Sequence, residues 1–287
     1  MCRRGGEILD GKGPTLVAEI GCVHGGSIDR AIDLIRLAGD SGAHAVKSQK
    51  RNPHLCVPDI IKGQPHPNPR FSFGSTYLDH RIALELSVES HMAMALECRR
   101  LGMLYGCSVW DMDSLQEMAD VQPDFVKIPS ACCLNDGLIE GALGFGFEVH
   151  ISNGMTTSDQ RKLMYSKLSA VKSRVVVYHT TTEYPCPFSR LYLNEVENIH
   201  AMGFVTGFSN HGYGIAADVA AMALGATWIE RHFVDDRTYP HTDAAASLEP
   251  GGLKTLRRDL DHVWQALRDR PDSMTEEETA QVGKLRK

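Results

Sequence analysis

The sequence predicts a single-domain TIM barrel, a (β/α)8 fold, on three observations. Eight short apolar runs recur at residues 16–19, 45–47, 104–108, 125–127, 149–152, 175–179, 205–209 and 228–232, and nearly all break off into a polar or ionisable residue. A helix-period segment follows each run, and this alternation repeated eight times favours a closed parallel barrel over an open doubly wound sheet, which usually has about six strands. The 287 residues, 43% of them hydrophobic, suit one such barrel of ~250 residues without a second domain.

The first run ends at Glu19, and Ser27 then caps a helix that sets Ile28, Ala31, Ile32 and Ile35 on one face and stops near Gly39 and Gly42. The second run ends at Lys47 and leads into the one segment outside the alternation. Residues 51–79 hold five prolines (Pro53, Pro58, Pro65, Pro67, Pro69) and little periodicity, so they read as a long loop on the rim. Phe71, Phe73 and Tyr77 favour a lid over a disordered insertion. Helical patterns then span 87–101, 114–119, 137–143, 158–168, 193–202, 216–224 and 253–267, each lying between successive runs or after the last. The barrel is expected over residues 1–270, with a charged, peripheral tail over 271–287.

The net charge of −6, with Lys and Arg dispersed among acids, leaves no basic stripe for a phosphate backbone and excludes nucleic acid as an expected partner. The eight cysteines (Cys2, Cys22, Cys56, Cys98, Cys107, Cys132, Cys133, Cys186) form no C-x-x-C pair, and the N-terminus Met-Cys-Arg-Arg-Gly-Gly has no apolar signal segment. A reducing cytoplasm is the expected location. The most apolar stretch, 219–229, is interrupted by Gly225 and Thr227 and is too short for a bilayer, so no membrane partner is expected.

Polar residues at the same end of successive strands imply a shared pocket, because each is costly to bury without a partner. His211 follows the seventh run and His232 ends the eighth, so adjacent strands bring the two together. Paired imidazoles at a polar barrel mouth can hold a divalent cation, whereas a lone histidine there is more often a hydrogen-bonded rim residue. Asp243 either orients a metal-bound water or substrate hydroxyl, or caps a loop. Lys47 and Lys127, with Ser130, Ser152 and Ser209, form a cationic and hydroxylic set that can receive a phosphate. Two alternatives stay open: structural ion pairs, for which Glu19 supplies only one acid, and a lysine Schiff base.

These residues sit in motifs that resemble the sialic acid synthases, which condense phosphoenolpyruvate with an N-acetylated sugar. The motifs are Ala18-Glu19-Ile20-Gly21 with His24 and Gly26; Ala45-Val46-Lys47 with Gln49; Lys127-Ile128 with Ser130; Ser152 with Gly154-Met155; Tyr184-Pro185 with Pro187; Ser209 with His211; and Ala223-Leu224-Gly225-Ala226 leading to Ile229-Glu230-Arg231-His232-Phe233. Their order and spacing are kept over roughly residues 14–265, one barrel's length. The resemblance implies that Lys47, Lys127, Ser130, Ser152 and Ser209 bind phosphoenolpyruvate, and that His211 and His232 hold manganese, with magnesium or cobalt as alternatives. It places Glu19 near the reacting carbons, guiding a water or its proton, and matches Gln49, Thr182, Tyr184 and Asp243 to positions facing the acceptor or the metal. The implied reaction is an aldol-type condensation with an aldehyde acceptor that gives a 2-keto-3-deoxy acid and phosphate, in a barrel that can pair as a homodimer.

The departures fall on the acceptor side. Cys132 stands where the family has a glutamate, Val23 and Thr182 where it has asparagines, Asn153 for a threonine and Asn210 for an aspartate. A pocket that loses such groups discriminates differently, so a sugar or sugar-like aldehyde other than N-acetylmannosamine is expected. Arg51, Arg70 and Arg237 are spare cations for a phosphorylated acceptor, although any one is more often a solvated loop arginine. The family's C-terminal antifreeze-like domain has no counterpart after Leu267, so closure is expected from 51–79 or is not needed. Two other readings are a catalytically silent barrel that binds a metal or phosphate ligand as a partner or regulator, and a metal-dependent hydrolase or isomerase that acts without phosphoenolpyruvate. A silent protein has little reason to retain Glu19, Lys47, Lys127, His211 and His232 together.

Overall fold

A computed structural model describes residues 13–286. Cys2, the N-terminal hexapeptide, the first part of the expected 1–270 range and Lys287 lie outside the described residues. The eight expected runs form eight parallel strands: β1 (Thr15–Gly21), β2 (Ala45–Lys50), β3 (Leu104–Val109), β4 (Phe125–Ile128), β5 (Val149–Ser152), β6 (Val175–His179), β7 (Val205–Asn210) and β8 (Trp228–His232). They close in sequence order, with β8 pairing back onto β1, as a TIM barrel does. Apart from one or two residues at strand ends, every strand residue is buried, which is why the strands read as apolar runs rather than alternating ones.

Side chains alternate between the two faces of each strand. One set, including Leu16, Ala18, Ile20, Val46, Val126, Ile151 and Ile229, packs outward into the main core beneath the helices. The other set points into the barrel, where Val17, Ala45, Phe125, Val176, Tyr178 and Trp228 form a separate apolar floor. The floor is closed by close approach: a Cβ on Gly106 would lie 2.2 Å from the Phe125 ring, and one on Gly207 2.5 Å from the Tyr178 ring. His150 completes it, stacked on Phe125 at 4.1 Å and bonded to the Tyr178 hydroxyl at 3.1 Å. Two residues further along each strand the inward row turns polar, from Val17 to Glu19, Ala45 to Lys47, Phe125 to Lys127 and Trp228 to Glu230.

Five crossover helices start where a side chain satisfies one of their first free N–H groups: Ser27, Ser87, Asp111, Asn135 and Thr157 each accept from the N3 backbone. The helix expected over 114–119 is Met112–Val121, because Asp111 rather than Ser114 is its cap. The first helix buries Ala31, Leu34, Ile35 and Ala38, which turns the expected face so that Ile28 and Ile32 are only partly buried.

The segment 51–79 is not the unstructured loop its prolines imply. It contains helices Pro53–Cys56 and Asp59–Lys62, a 3-10 turn Pro69–Phe71, and the start of helix Tyr77–Ala83. Pro53 and Pro69 occupy first-turn positions, where a missing N–H costs nothing, behind caps from Asn52 and Asn68. The segment is tied to the barrel by Asp111, whose Oδ2 accepts from the Asn52 N–H at 2.8 Å and the Cys56 thiol at 3.0 Å. Beyond the barrel, the helix Glu276–Leu285 has no buried residue. Among the described residues no helix is long and apolar enough to cross a membrane.

Because Gly106 faces the Phe125 ring at sub-contact distance, Gly106→Ala is expected to lower stability by about 2 kcal/mol or more, read as a fall in the urea midpoint. Adding Phe125→Leu should recover part of the loss; an unchanged midpoint for the single variant would refute this account of the floor.

Candidate active site

The polar rows of the barrel converge above the floor, at the C-terminal ends of the strands. Register sets the neighbours: Glu19 lies beside Lys47 on one side and His232 on the other, Ser108 beside Lys127, and Ser209 beside Glu230. Eleven of the twelve residues singled out from sequence line one pocket: Glu19, Lys47, Gln49, Lys127, Ser130, Ser152, Thr182, Tyr184, Ser209, His211 and His232. Asp243 does not line it. It stands next to the histidines, with Oδ2 at 3.9 Å from His232 Nδ1 and 3.8 Å from His241 Nδ1. Burial opposes its charge, but His232, His241 and His211 hold its carboxyl below the usual range.

The two lysines are both ion-paired, and Glu230 is the second acid that the sequence left unassigned. Lys47 Nζ meets Glu19 Oε2 at 2.5 Å and donates to Ser108 Oγ at 2.7 Å. Lys127 Nζ donates to Glu230 Oε1 at 2.7 Å, and Ser209 Oγ donates to the same oxygen at 3.0 Å. Glu230 also lies 3.8 Å from Lys47, so four buried charges form one chain. Burial works against the Lys47 ammonium, but Glu19 and then Glu230 raise its pKa above the ordinary value. Burial wins at Lys127, which is pushed down to about 8 although Glu230 opposes the shift. Glu230 is held below the carboxylate range by Lys127 and Lys47 against its own desolvation.

Glu230 was quoted in a sequence motif without a role. Its signal was available: it precedes His232 by two in a strand, so the two share a face. Ser108, Trp110 and Thr180 also line the pocket and were not singled out.

The histidine pair lies across the pocket, with ring centroids 5.4 Å apart and the Tyr184 ring 4.0 Å from that of His211. Burial, with His232 adding to it, drives His211 down to about 3, so its imidazole is neutral at ordinary pH. His211 Nδ1 bonds the Thr181 carbonyl at 2.9 Å, which leaves Nε2 for another partner. His232 Nδ1 is buried and has no hydrogen bond. Two imidazoles with spare nitrogens fit a divalent cation whose remaining positions are filled by water or substrate oxygens. Among the described residues no group of three or more His, Cys, Asp and Glu side chains forms a fuller cage.

Buried polar atoms without hydrogen bonds gather here. Of twelve among the described residues, six line this pocket; Glu19 Oε2 and Glu230 Oε2 face the Lys47 ammonium, which leaves Trp110 Nε1, Thr180 Oγ1, Thr182 Oγ1 and His232 Nδ1 without a polar partner. Such groups are costly unless a ligand meets them. The departures noted in sequence mostly face elsewhere. Asn153 bonds Tyr165 and Thr180, Asn210 bonds Asp218 and Gly212, and Val23 is fully buried in the core. The Cys132 thiol donates to the Trp110 carbonyl at 3.3 Å. Of the spare arginines, Arg70 is exposed, Arg237 pairs with Glu249 at 3.5 Å, and Arg51 is half-buried beside Gln49 and Trp110.

A closed parallel barrel with a charged, orphan-lined pocket at its strand ends is the architecture of a barrel enzyme. Residues 34–271 match the model of the NeuB family, and the chain belongs to that family. It is 28% identical to the N,N'-diacetyllegionaminic acid synthase of Campylobacter jejuni over 95% of this chain and 83% of that protein. It is 31% identical to the N-acetylneuraminate-9-phosphate synthase of Mus musculus over 91% of this chain and 74% of that protein. The solved N-acetylneuraminic acid synthetase of Leptospira borgpetersenii superposes with a TM-score of 0.81 at 23% identity, covering 96% of this chain and 92% of that one, which supports the fold.

Removing one charge from the buried chain should be expensive. Glu230→Gln is expected to cost about 3 kcal/mol, read by denaturant unfolding, because Lys127 loses its nearest counter-charge. Wild-type stability in this variant would show that the cluster is solvated rather than mutually neutralised.

Proposed function

We propose that the protein condenses phosphoenolpyruvate with an aldehyde acceptor, a sugar or sugar-like molecule, to give a 2-keto-3-deoxy acid and inorganic phosphate. The observation that carries this reading is the placement of two buried ammonium groups, flanked by serine hydroxyls, across one pocket from two spare imidazoles. Lys47 and Lys127, with Ser130, Ser152 and Ser209, receive the phosphate and carboxylate of phosphoenolpyruvate. Their glutamate partners keep the ammonium groups charged in a dry site until an anion arrives.

The enol carbon attacks the aldehyde carbon, a C–C bond forms, and the aldehyde oxygen takes up a proton. Water adds to the cation left at C2, and Glu19 accepts its proton. Collapse of that tetrahedral species breaks the C–O bond to phosphate, releases the anion and leaves the 2-keto group. A divalent cation held by His211 and His232, manganese in the first instance, would supply Lewis-acid polarisation of the aldehyde oxygen. Tyr184, tilted against His211 and edge-on to His232, walls the acceptor end.

Phosphate release from phosphoenolpyruvate, assayed with manganese and a panel of aldoses, tests the reading directly. Turnover is expected with at least one sugar, and Glu19→Gln should lower kcat by about 10²-fold or more. No release with any acceptor would favour a binding protein instead. The Lys127 value also fixes a pH limb. The ammonium form binds the anion, so kcat/KM for phosphoenolpyruvate should hold below about pH 8 and fall roughly tenfold per unit above it. Lys127→Arg, which stays charged, should move that limb upward.

A further inference from the structure

Trp110 follows directly on β3 and lines the pocket beside Gln49 and Ser108. Its indole Nε1 is buried without a hydrogen-bond partner. An indole N–H can only donate, so nothing but an acceptor atom can satisfy it. The Arg51 guanidinium lies over the same ring, 4.0 Å from its centroid, and a cation on the π face draws electron density toward itself and strengthens the N–H as a donor.

Arg51 makes a second contact of the same sense. Its guanidinium donates to Gln49 Oε1, which fixes the amide with Nε2 toward the site, where it donates to Glu19 Oε1 at 2.8 Å. The wall formed by Gln49 and Trp110 therefore offers donors and has its one acceptor oxygen already taken. Arg51 is itself anchored, with its backbone N–H on Glu85 Oε2 at 3.1 Å. The Cys132 thiol donates to the Trp110 carbonyl and adds no acceptor to the wall.

We propose, on the reading that the pocket condenses phosphoenolpyruvate with an aldehyde, that Trp110 determines acceptor specificity: its N–H binds a carbonyl or carboxylate oxygen on a substituent of the acceptor. Arg51 is a positioning residue that holds Trp110 and Gln49 with their donors toward that substituent. A sugar presenting only hydroxyl groups there can pair the N–H but loses its own donor capacity against a donor-only wall, and is the poorer substrate.

The test compares D-mannose, N-acetylmannosamine and mannuronate as acceptors, with phosphoenolpyruvate and manganese, in the wild-type protein, Trp110→Phe, Arg51→Met and Arg51→Lys. The wild type should prefer the acetamido or carboxylate sugar. Trp110→Phe keeps an aromatic face but removes the five-membered ring and with it the N–H, so it should raise the KM for the preferred sugar roughly tenfold, leave the KM for phosphoenolpyruvate unchanged and collapse the preference over mannose. Arg51→Met should give the same split with the indole intact, and Arg51→Lys should restore part of it. An unchanged acceptor KM in Trp110→Phe, or equal rises in both KM values, would overturn the assignment. If the wild type releases no phosphate with any of the three or with any sugar of the wider aldose panel, the condensation reading is what has failed. The Trp110 indole N–H resonance, assigned by its loss in Trp110→Phe, then decides this proposal: a shift on adding N-acetylmannosamine or mannuronate supports it, and none with either sinks it.

Discussion

Everything at the mouth of this barrel depends on four charges that cannot be buried singly. Glu19, Lys47, Glu230 and Lys127 are each almost wholly withdrawn from water, and each has an opposite charge within hydrogen-bonding distance. Desolvating an isolated charge costs several kcal/mol, so the chain of alternating signs is what permits a polar chamber inside an apolar barrel. The pairing is also uneven. Lys47 has two carboxylates in reach and is held strongly charged, whereas Lys127 has one and sits near its titration point. The floor makes this necessary, because Phe125, Tyr178 and Trp228 offer no water and little polarity from below.

The barrel itself was legible in the sequence because parallel strands buried on both faces must be apolar throughout, and because Ser27 announces the first crossover helix in side-chain chemistry. Residues 51–79 misled for a physical reason. The helices Pro53–Cys56 and Asp59–Lys62 have four residues each, below the length at which periodicity or local propensity can declare a helix. They exist because Asp111, fifty-five residues from Cys56, fastens one end of the segment, and no local pattern reports a contact of that span.

At the site, what the strands carry was readable and what their partners carry was not. Lys47, Lys127, His211 and His232 each stand out as ionisable groups at the end of an apolar run. Glu230 is equally buried and shares His232's face, yet its meaning comes from Lys127, 103 residues away. Asp243, matched by motif position to the acceptor or the metal, lies with its carboxylate 3.9 Å from His232 Nδ1. Several altered positions, Asn153, Asn210 and Val23 among them, proved to be parts of the scaffold, so their departure from the family speaks about packing at least as much as about substrate.

The aromatic floor has one further consequence. With Phe125, His150, Tyr178 and Trp228 interlocked, the chamber is a cul-de-sac, and traffic through it is ordered by depth. Lys127 lies against the blind end, 4.2 Å above the Tyr178 ring, while Tyr184 stands nearly half exposed at the opening. On the proposed reading, a molecule seated on Lys127 would have to arrive before its neighbour at Tyr184 and wait for that neighbour to depart. A plug of four rings is thus also a rule of precedence.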